Sequence, residues 1–251
     1  MPANTKVIFK EMFADFQDYY VLIGGTATSI VLDSQGFKSR TTKDYDMVII
    51  DELKNKEFYN VLNHFLELGE YQGSQKDEKA QLFRFTTTKP ELPSMIELFS
   101  ILPQYPLKKD GREIPLHFDQ DASLSALLLD EDYYNILVHE KETIQGYSVL
   151  SNCGLIIFKA KAWLDMRERS ATGAQGLSKS IKKHLNDITR LTASLLGDEK
   201  LSAITLSSAV KADMHRFVIE LEPVKSTILQ NDDISLDQNE IFEILKNFLD
   251  G

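Results

Sequence analysis

The tightest constraint on how this chain folds lies at Gly24-Gly25. A β-prone apolar run, Tyr19 to Ile23, leads into the pair, and a helix-like stretch, Thr26 to Leu32, leaves it. Two residues without a Cβ let the backbone turn sharply and let another group come close to it. The next segment, Asp33 to Lys43, is polar, is broken by Gly36 and carries Arg40. Lys43-Asp44-Tyr45-Asp46 then enters Met47-Val48-Ile49-Ile50, which reads as a buried strand. The glycines therefore tie a strand, a helix and a second strand into one unit.

The surrounding pattern extends this unit into a sheet with helices on it. Apolar positions predict helices over Thr5 to Phe16 and Lys54 to Leu68, and strands over Ala80 to Thr87 and Met95 to Ser100. That order implies a mixed sheet with helices packed against it. Arg112 to Leu150 alternates more loosely, with one period-2 run at Ile114, Leu116 and Phe118. Leu127 to Leu129, Tyr133 to Val138 and Tyr147 to Leu150 read as short strands. After Cys153-Gly154 the pattern turns helical: Leu155 to Arg169, Lys179 to Leu196, Leu201 to Leu221 and Asn239 to Leu249. Gly173 and Gly176 fall in the first connection of that half, and Gly197 closes its second helix. The expected organisation is an α+β domain over 1–152 and a helical domain over 153–251.

Charge is placed unevenly along the chain. Across 251 residues there are 38 acids against 28 Lys and Arg, a formal net charge of −10. That excludes a generally basic protein that coats nucleic acid. From Ser151 to Arg190, eight basic residues stand against three acids, so this segment is +5 and the rest is −15. A basic block in an acidic chain suggests a local anion site. The lone Cys153 excludes an intramolecular disulfide and a cysteine-rich zinc module. No apolar run approaches the length of a spanning helix, and the N-terminal residues carry no apolar signal core. The expectation is a cytoplasmic protein without a membrane segment.

The chemistry concentrates between Val21 and Ile50. Backbone N–H groups at a glycine turn that opens a helix approach a phosphate closely, and the helix N-terminus favours its charge. Thr26 adds a hydroxyl there. Asp44 and Asp46, two apart on a strand, point to one face. Paired carboxylates repel unless a cation sits between them, and they are hard oxygen ligands suited to Mg²⁺ or Mn²⁺. A third acid, Glu97, lies inside the apolar strand Met95-Ile96-Glu97-Leu98-Phe99. Three acids on two strands suit metal-assisted phosphoryl or nucleotidyl transfer.

These residues resemble the DNA polymerase β-like nucleotidyltransferase superfamily. Arg40-Thr41-Thr42-Lys43-Asp44-Tyr45-Asp46-Met47-Val48 and Met95-Ile96-Glu97-Leu98-Phe99-Ser100 resemble the AbiEii-type members in particular. Phe158-Lys159-Ala160-Lys161-Ala162-Trp163-Leu164-Asp165 is similar to that family's lysine motif. Ser178 to Ile188 is similar to its final Lys/Asp motif. There are two departures: a long interval from Gly25 to Asp44, and Ser180 where relatives often carry an acid.

The resemblance implies transfer of a nucleotide from an NTP to an acceptor hydroxyl. The acceptor would be RNA, such as a tRNA 3′ end, and the protein a toxin paired with a cognate antitoxin. A small-molecule nucleotidyltransferase and a non-catalytic nucleotide- or partner-binding homologue are the alternatives. By carry-over, Gly24, Gly25, Thr26, Arg40, Lys183 and Asp187 would line the nucleotide site. Asp44, Asp46 and Glu97 would hold metal, with Glu97 as third ligand or general base. Lys159 or Lys161 would neutralise the triphosphate. Lys159 shares a helix face with Ala162, Trp163 and Met166, an inward stripe, which favours it over Lys161.

The remaining distinctive residues read as structural. Trp163 at helical spacing reads as core, and Cys153 as a small buried hydrophobe. His64 and His117 have no partners at metal-ligand spacing, and His184 adjoins the basic motif. The tail from Pro223 is acidic and amphipathic, suited to closing the helical half or meeting a partner.

Overall fold

The computed structural model describes residues 3–40, 42–50, 55–76, 79–100, 107–109, 112–114, 130–195, 206–230 and 233–250. The first half supplies helix α1 (Ala3–Met12), strand β1 (Tyr20–Ile23), helix α2 (Gly24–Ser34), strand β2 (Asp44–Ile49) and helix α3 (Lys56–Leu68). Strands β3 (Gln72–Lys76), β4 (Lys79–Thr86) and β5 (Met95–Ser100) follow, then a small hairpin, β6 (Leu107–Lys109) and β7 (Arg112–Ile114). Helix α4 (Glu131–His139) precedes β8 (Lys141–Ile144) and β9 (Tyr147–Leu150). Every described element beyond is helical: α5 (Asn152–Ala171), α6 (Ser178–Ala193), α7 (Ser208–Leu221), a 3₁₀ turn at Glu222–Thr227, and α8 (Gln238–Asp250).

Seven strands form one mixed sheet in the order β3-β4-β5-β2-β1-β9-β8. β2 runs antiparallel to β1 and parallel to β5, and β1 runs parallel to β9. The Tyr-Val-Leu-Ile run of β1 is buried throughout, as an inner strand covered on both faces requires. β2 alternates. Tyr45 is fully buried, and its ring lies 5.0 Å from Phe9 of α1, within a cluster of aromatic rings from α1 and α3. Burying Phe9 and Phe13 there contributes roughly 2 kcal/mol each. α3 starts where the Asn55 side chain accepts from the Glu57 and Phe58 amides at 2.8 and 3.2 Å. Such a cap contributes about 1 kcal/mol.

Pleating sends Asp44 and Asp46 to the face opposite Tyr45. α2 packs on that side, and α5 and α6 pack against α2. A single hydrophobic core runs from the sheet through Leu155, Ile156 and Trp163 to Ile188 and Phe217.

The structure corrects three expectations. Tyr133 to Val138 lies in a helix, not a strand: Asp130 caps it by accepting from the Asp132 amide at 2.9 Å, and Tyr133, Ile136 and Leu137 are buried at helical spacing. α1 ends at Met12, earlier than the expected Phe16, and a 3₁₀ turn over Gln17–Tyr19 leads into β1. β3 and β8, which no apolar pattern announced, are the outermost strands, where polar residues are tolerated. Leu116, Phe118, Leu127 to Leu129, Gly197 and His117 lie outside the described residues.

Candidate active site

The sheet register builds the acidic side of the site. In β2, Asp46 pairs with Ile23 of β1 on one side and with Glu97 of β5 on the other. Two carboxylates on adjacent central strands are thereby brought side by side. Burial, and then the adjacent Glu97, push the Asp46 carboxyl up to about 7, while Lys183 and Lys159 pull it the other way. Asp44 lies one pleat nearer the strand's start, where its Oδ1 accepts from the Ser94 hydroxyl at 3.3 Å.

The glycine turn closes over these acids. Gly24 adopts φ +65°, in the left-handed region, and any Cβ there would run into the Asp46 carboxylate. A Cβ on Gly25 would run into Nη2 of Arg40. The turn thus passes between an acid and a guanidinium with bare backbone toward both. Ile23 precedes α2 in an extended conformation and gives its first turn no side-chain cap. The Thr26 hydroxyl donates to the Asp44 carbonyl at 2.5 Å, so it fastens α2 to the start of β2. Ser29 donates to the Arg40 carbonyl at 3.0 Å and anchors the loop that carries Arg40.

The basic side is organised by one buried aspartate. Lys159 Nζ of α5 lies 2.9 Å from Asp187 Oδ2 of α6, and Arg40 Nε lies 3.2 Å from Asp187 Oδ1. Asp187 and Lys159 are almost fully buried, whereas the Arg40 side chain is 29% exposed. Burial works to raise the Asp187 carboxyl, but Lys159 and then Arg40 outweigh it and hold it below the usual carboxylate range. Burial pulls the Lys159 ammonium below its ordinary value, with Asp187 opposing. Burial and then Lys159 push the His184 imidazole down to about 3, so it is neutral here.

Most of the residues singled out in sequence are therefore neighbours. Gly24 meets Asp46, Asp46 meets Glu97, Gly25 meets Arg40, and Asp187 joins Arg40 to Lys159. Lys183 is exposed yet close enough to act on Asp46 electrostatically. Lys161 is not brought to this site. It points to the other side of α5, 3.0 Å from Asp213 and 3.5 Å from Asp165. Trp163 is buried against Phe217, with ring centroids 5.2 Å apart, and Cys153 is buried. Sequence reading missed Ser29, Ser94 and Arg84; the last lies opposite Glu97 in the β4–β5 ladder. A cavity of about 440 Å³ lies at the far end of α2, lined by Gln35, Glu140 and Asn152, away from these acids.

Among the described residues, no group of three His, Cys, Asp or Glu side chains is placed to hold a metal ion. A three-acid cage of Asp44, Asp46 and Glu97 is thus not what the side chains form. Asp44 and Asp46 still fit a hard divalent cation. They are carboxylates on one face of β2, and Asp46 lies against the Gly24 backbone and beside Glu97. Mg²⁺ is held in this way, by one or two carboxylates together with substrate phosphates.

Among the described residues no helix is long and apolar enough to cross a membrane. No family model and no curated protein matches the chain. Among solved structures, it is similar to the antibiotic-resistance factor ANT(2'')-Ia, with a TM-score of 0.36 and 12% identity over 88% of this chain and 94% of that one. A likeness of this size carries no argument about activity.

Proposed function

We propose that the chain is a metal-dependent nucleotidyltransferase that moves a nucleotide from an NTP to an acceptor hydroxyl. The observation that carries this reading is the glycine turn, packed with bare backbone against the Asp46 carboxylate and the Arg40 guanidinium. Anion-binding backbone, metal-ligating acids and fixed cations meet at one point, and this combination suits a triphosphate bound with a divalent ion. The turn and the uncapped start of α2 receive the phosphates. Asp44 and Asp46 hold the ion, which when bound neutralises the triphosphate and acidifies the attacking hydroxyl. Lys159, fixed by Asp187, and Arg40 present positive charge that does not need to reorganise as the pyrophosphate leaves.

The acceptor in this reading is RNA. Lys179, Lys182 and Lys183 are exposed on α6, the helix that carries Asp187, and form a local basic face on an acidic protein. The resemblance to AbiEii-type proteins adds the role of a toxin with a cognate antitoxin. The test is to incubate the protein with each labelled NTP, Mg²⁺ and total tRNA. Label on RNA, lost in an Asp44→Ala, Asp46→Ala double variant, is the expected result. Label on small hydroxyl compounds alone would reassign the acceptor. No NTP turnover with either acceptor would overturn the reading. Growth arrest that persists in the double variant would separate toxicity from this site.

A further inference from the structure

The cavity of about 440 Å³ lies between the end of α2, the edge strand β8 and the start of α5. That volume falls in the range of small-molecule sites. Its lining favours acceptors, because the side-chain donors around it are spent elsewhere. The Ser34 hydroxyl donates to the Val31 carbonyl at 2.7 Å. His139 Nδ1 lies 2.8 Å from the Asn135 carbonyl, so that nitrogen donates there. Lys141 Nζ reaches Asp18 Oδ1 at 2.8 Å. The Ser151 hydroxyl caps α5, accepting from the Gly154 amide at 3.1 Å while donating to Glu140 Oε2 at 2.9 Å. Asn152 is 5% exposed, and its Nδ2 donates to the Leu191 carbonyl at 3.3 Å and to Ser194 Oγ at 3.0 Å. Neither of those two residues lines the cavity. The other arm of the amide, Oδ1, is turned away from them and has no hydrogen-bond partner among the described residues. Buried polar atoms are nearly always paired, so this exception calls for a donor from outside the chain.

Charge points the same way. Glu140 and Glu142 both line the cavity, and the closing carbonyls of α2 favour a cation. Lys141, the lysine of the lining, is drawn off toward Asp18. We propose that this cavity is a second binding site, separate from Asp44 and Asp46, that takes a small organic amine with two or more ammonium groups. An ammonium brings three N–H donors together with a positive charge. One group suits the buried end, where Asn152 and Glu140 stand, and another suits Glu142, which is exposed at the rim. The methylenes between them suit Val31 and Ile144, the apolar part of the lining. A bare metal ion suits the cavity less, because no group of three His, Cys, Asp or Glu side chains is placed to hold one among the described residues. The inference stands apart from the nucleotidyl-transfer reading, since no residue of the candidate active site enters it.

The test is isothermal titration calorimetry of spermidine into the full chain, at about 150 mM salt to screen weak surface attraction. Wild type takes up one spermidine per chain. Ser34→Trp plugs the mouth of the cavity and abolishes binding. Glu142→Lys and Asn152→Ala each weaken it by about tenfold, the worth of one hydrogen bond to a charged group. Glu67→Gln, which removes an exposed acid outside the cavity, stays within about twofold of wild type. So does the Asp44→Ala, Asp46→Ala double variant, because the amine does not sit on the acids of β2. Ser34 and Glu142 are exposed, so their variants keep the test decisive even if Asn152→Ala fails to fold. No saturable binding by wild type would overturn the inference. Binding that survives Ser34→Trp and Glu142→Lys but is lost in the double variant would also overturn it, by moving the amine to the acidic strands. Equal weakening in Glu67→Gln and Glu142→Lys would reduce it to surface charge. Spermidine binding without NTP transfer would sink only the transferase reading, and transfer without spermidine binding would sink only this site.

Discussion

Asp46 on the sheet, half-buried, and Asp187 on the helical side, buried, are two aspartates of one site, yet their carboxyls are shifted in opposite directions. Asp187 sits between Lys159 and Arg40, which hold its carboxyl below the usual range. Asp46 sits beside Glu97, and burial with that neighbour raises it to about 7. The helical side satisfies its charges internally and stands ready-made. On the sheet side Asp46 faces another carboxylate, with Lys183 and Lys159 acting on it only through charge. A buried ion pair is costly to break, while an acid set beside another acid is eased by a cation placed between them. The contrast marks Asp187 as a strut between two cations and Asp46 as an acid held beside an acid.

Removing one charge from each side should move stability in opposite directions. Asp187→Asn leaves a buried lysine without its counterion and should destabilise by about 3 kcal/mol in denaturant titrations at neutral pH. A loss below about 1 kcal/mol would mean that the strut carries little load. Asp46→Asn should do the reverse. Because the folded-state value lies above the unfolded one, the Asp46 contribution is full below pH 3.8 and is lost as pH rises through about 7. Metal-free wild type should therefore weaken between those limits. Asp46→Asn should melt higher than wild type at pH 8, by on the order of 5 °C, with the gap closing near pH 4. Equal melting at both pH values would show that Asp46 is already compensated. The smallest effect belongs to Lys161→Ala. Its partners Asp165 and Asp213 are partly solvated, so stability should change by less than about 1 kcal/mol. NTP transfer should stay unchanged, and a large loss of transfer would place Lys161 in the chemistry after all.

How much of this was legible in sequence follows from what each feature depends on. The same-faced pair Asp44 and Asp46 needs only the strand period of two, and the glycine turn needs only local backbone chemistry. The preference for Lys159 over Lys161 came from helical periodicity alone. The structure places Lys159 against Asp187 and Lys161 against Asp213. Arg84 was illegible because its importance rests on which residue of β4 faces Glu97, and strand register is set by tertiary packing. Tyr133 to Val138 was misread for a related reason. A short apolar run fits a buried strand or a buried helix equally, and here the Asp130 cap decides it. The edge strands β3 and β8 carry too little apolar pattern to be seen before their neighbours are known.

The sheet order also sets a timetable. β2 and β5, which bring Asp46 beside Glu97, lie within residues 44–100 and pair directly. Lys159 and Asp187 come much later in the chain, and β1 cannot find its parallel partner β9 until Leu150 has been made. At ordinary translation rates several seconds separate the two events. During that interval the growing chain carries its acids and its glycine turn without Lys159, Lys183 and Asp187. A ribosome-bound intermediate of this protein thus holds only the sheet half of the candidate site, and the helical half cannot close on it before Asp187 has emerged.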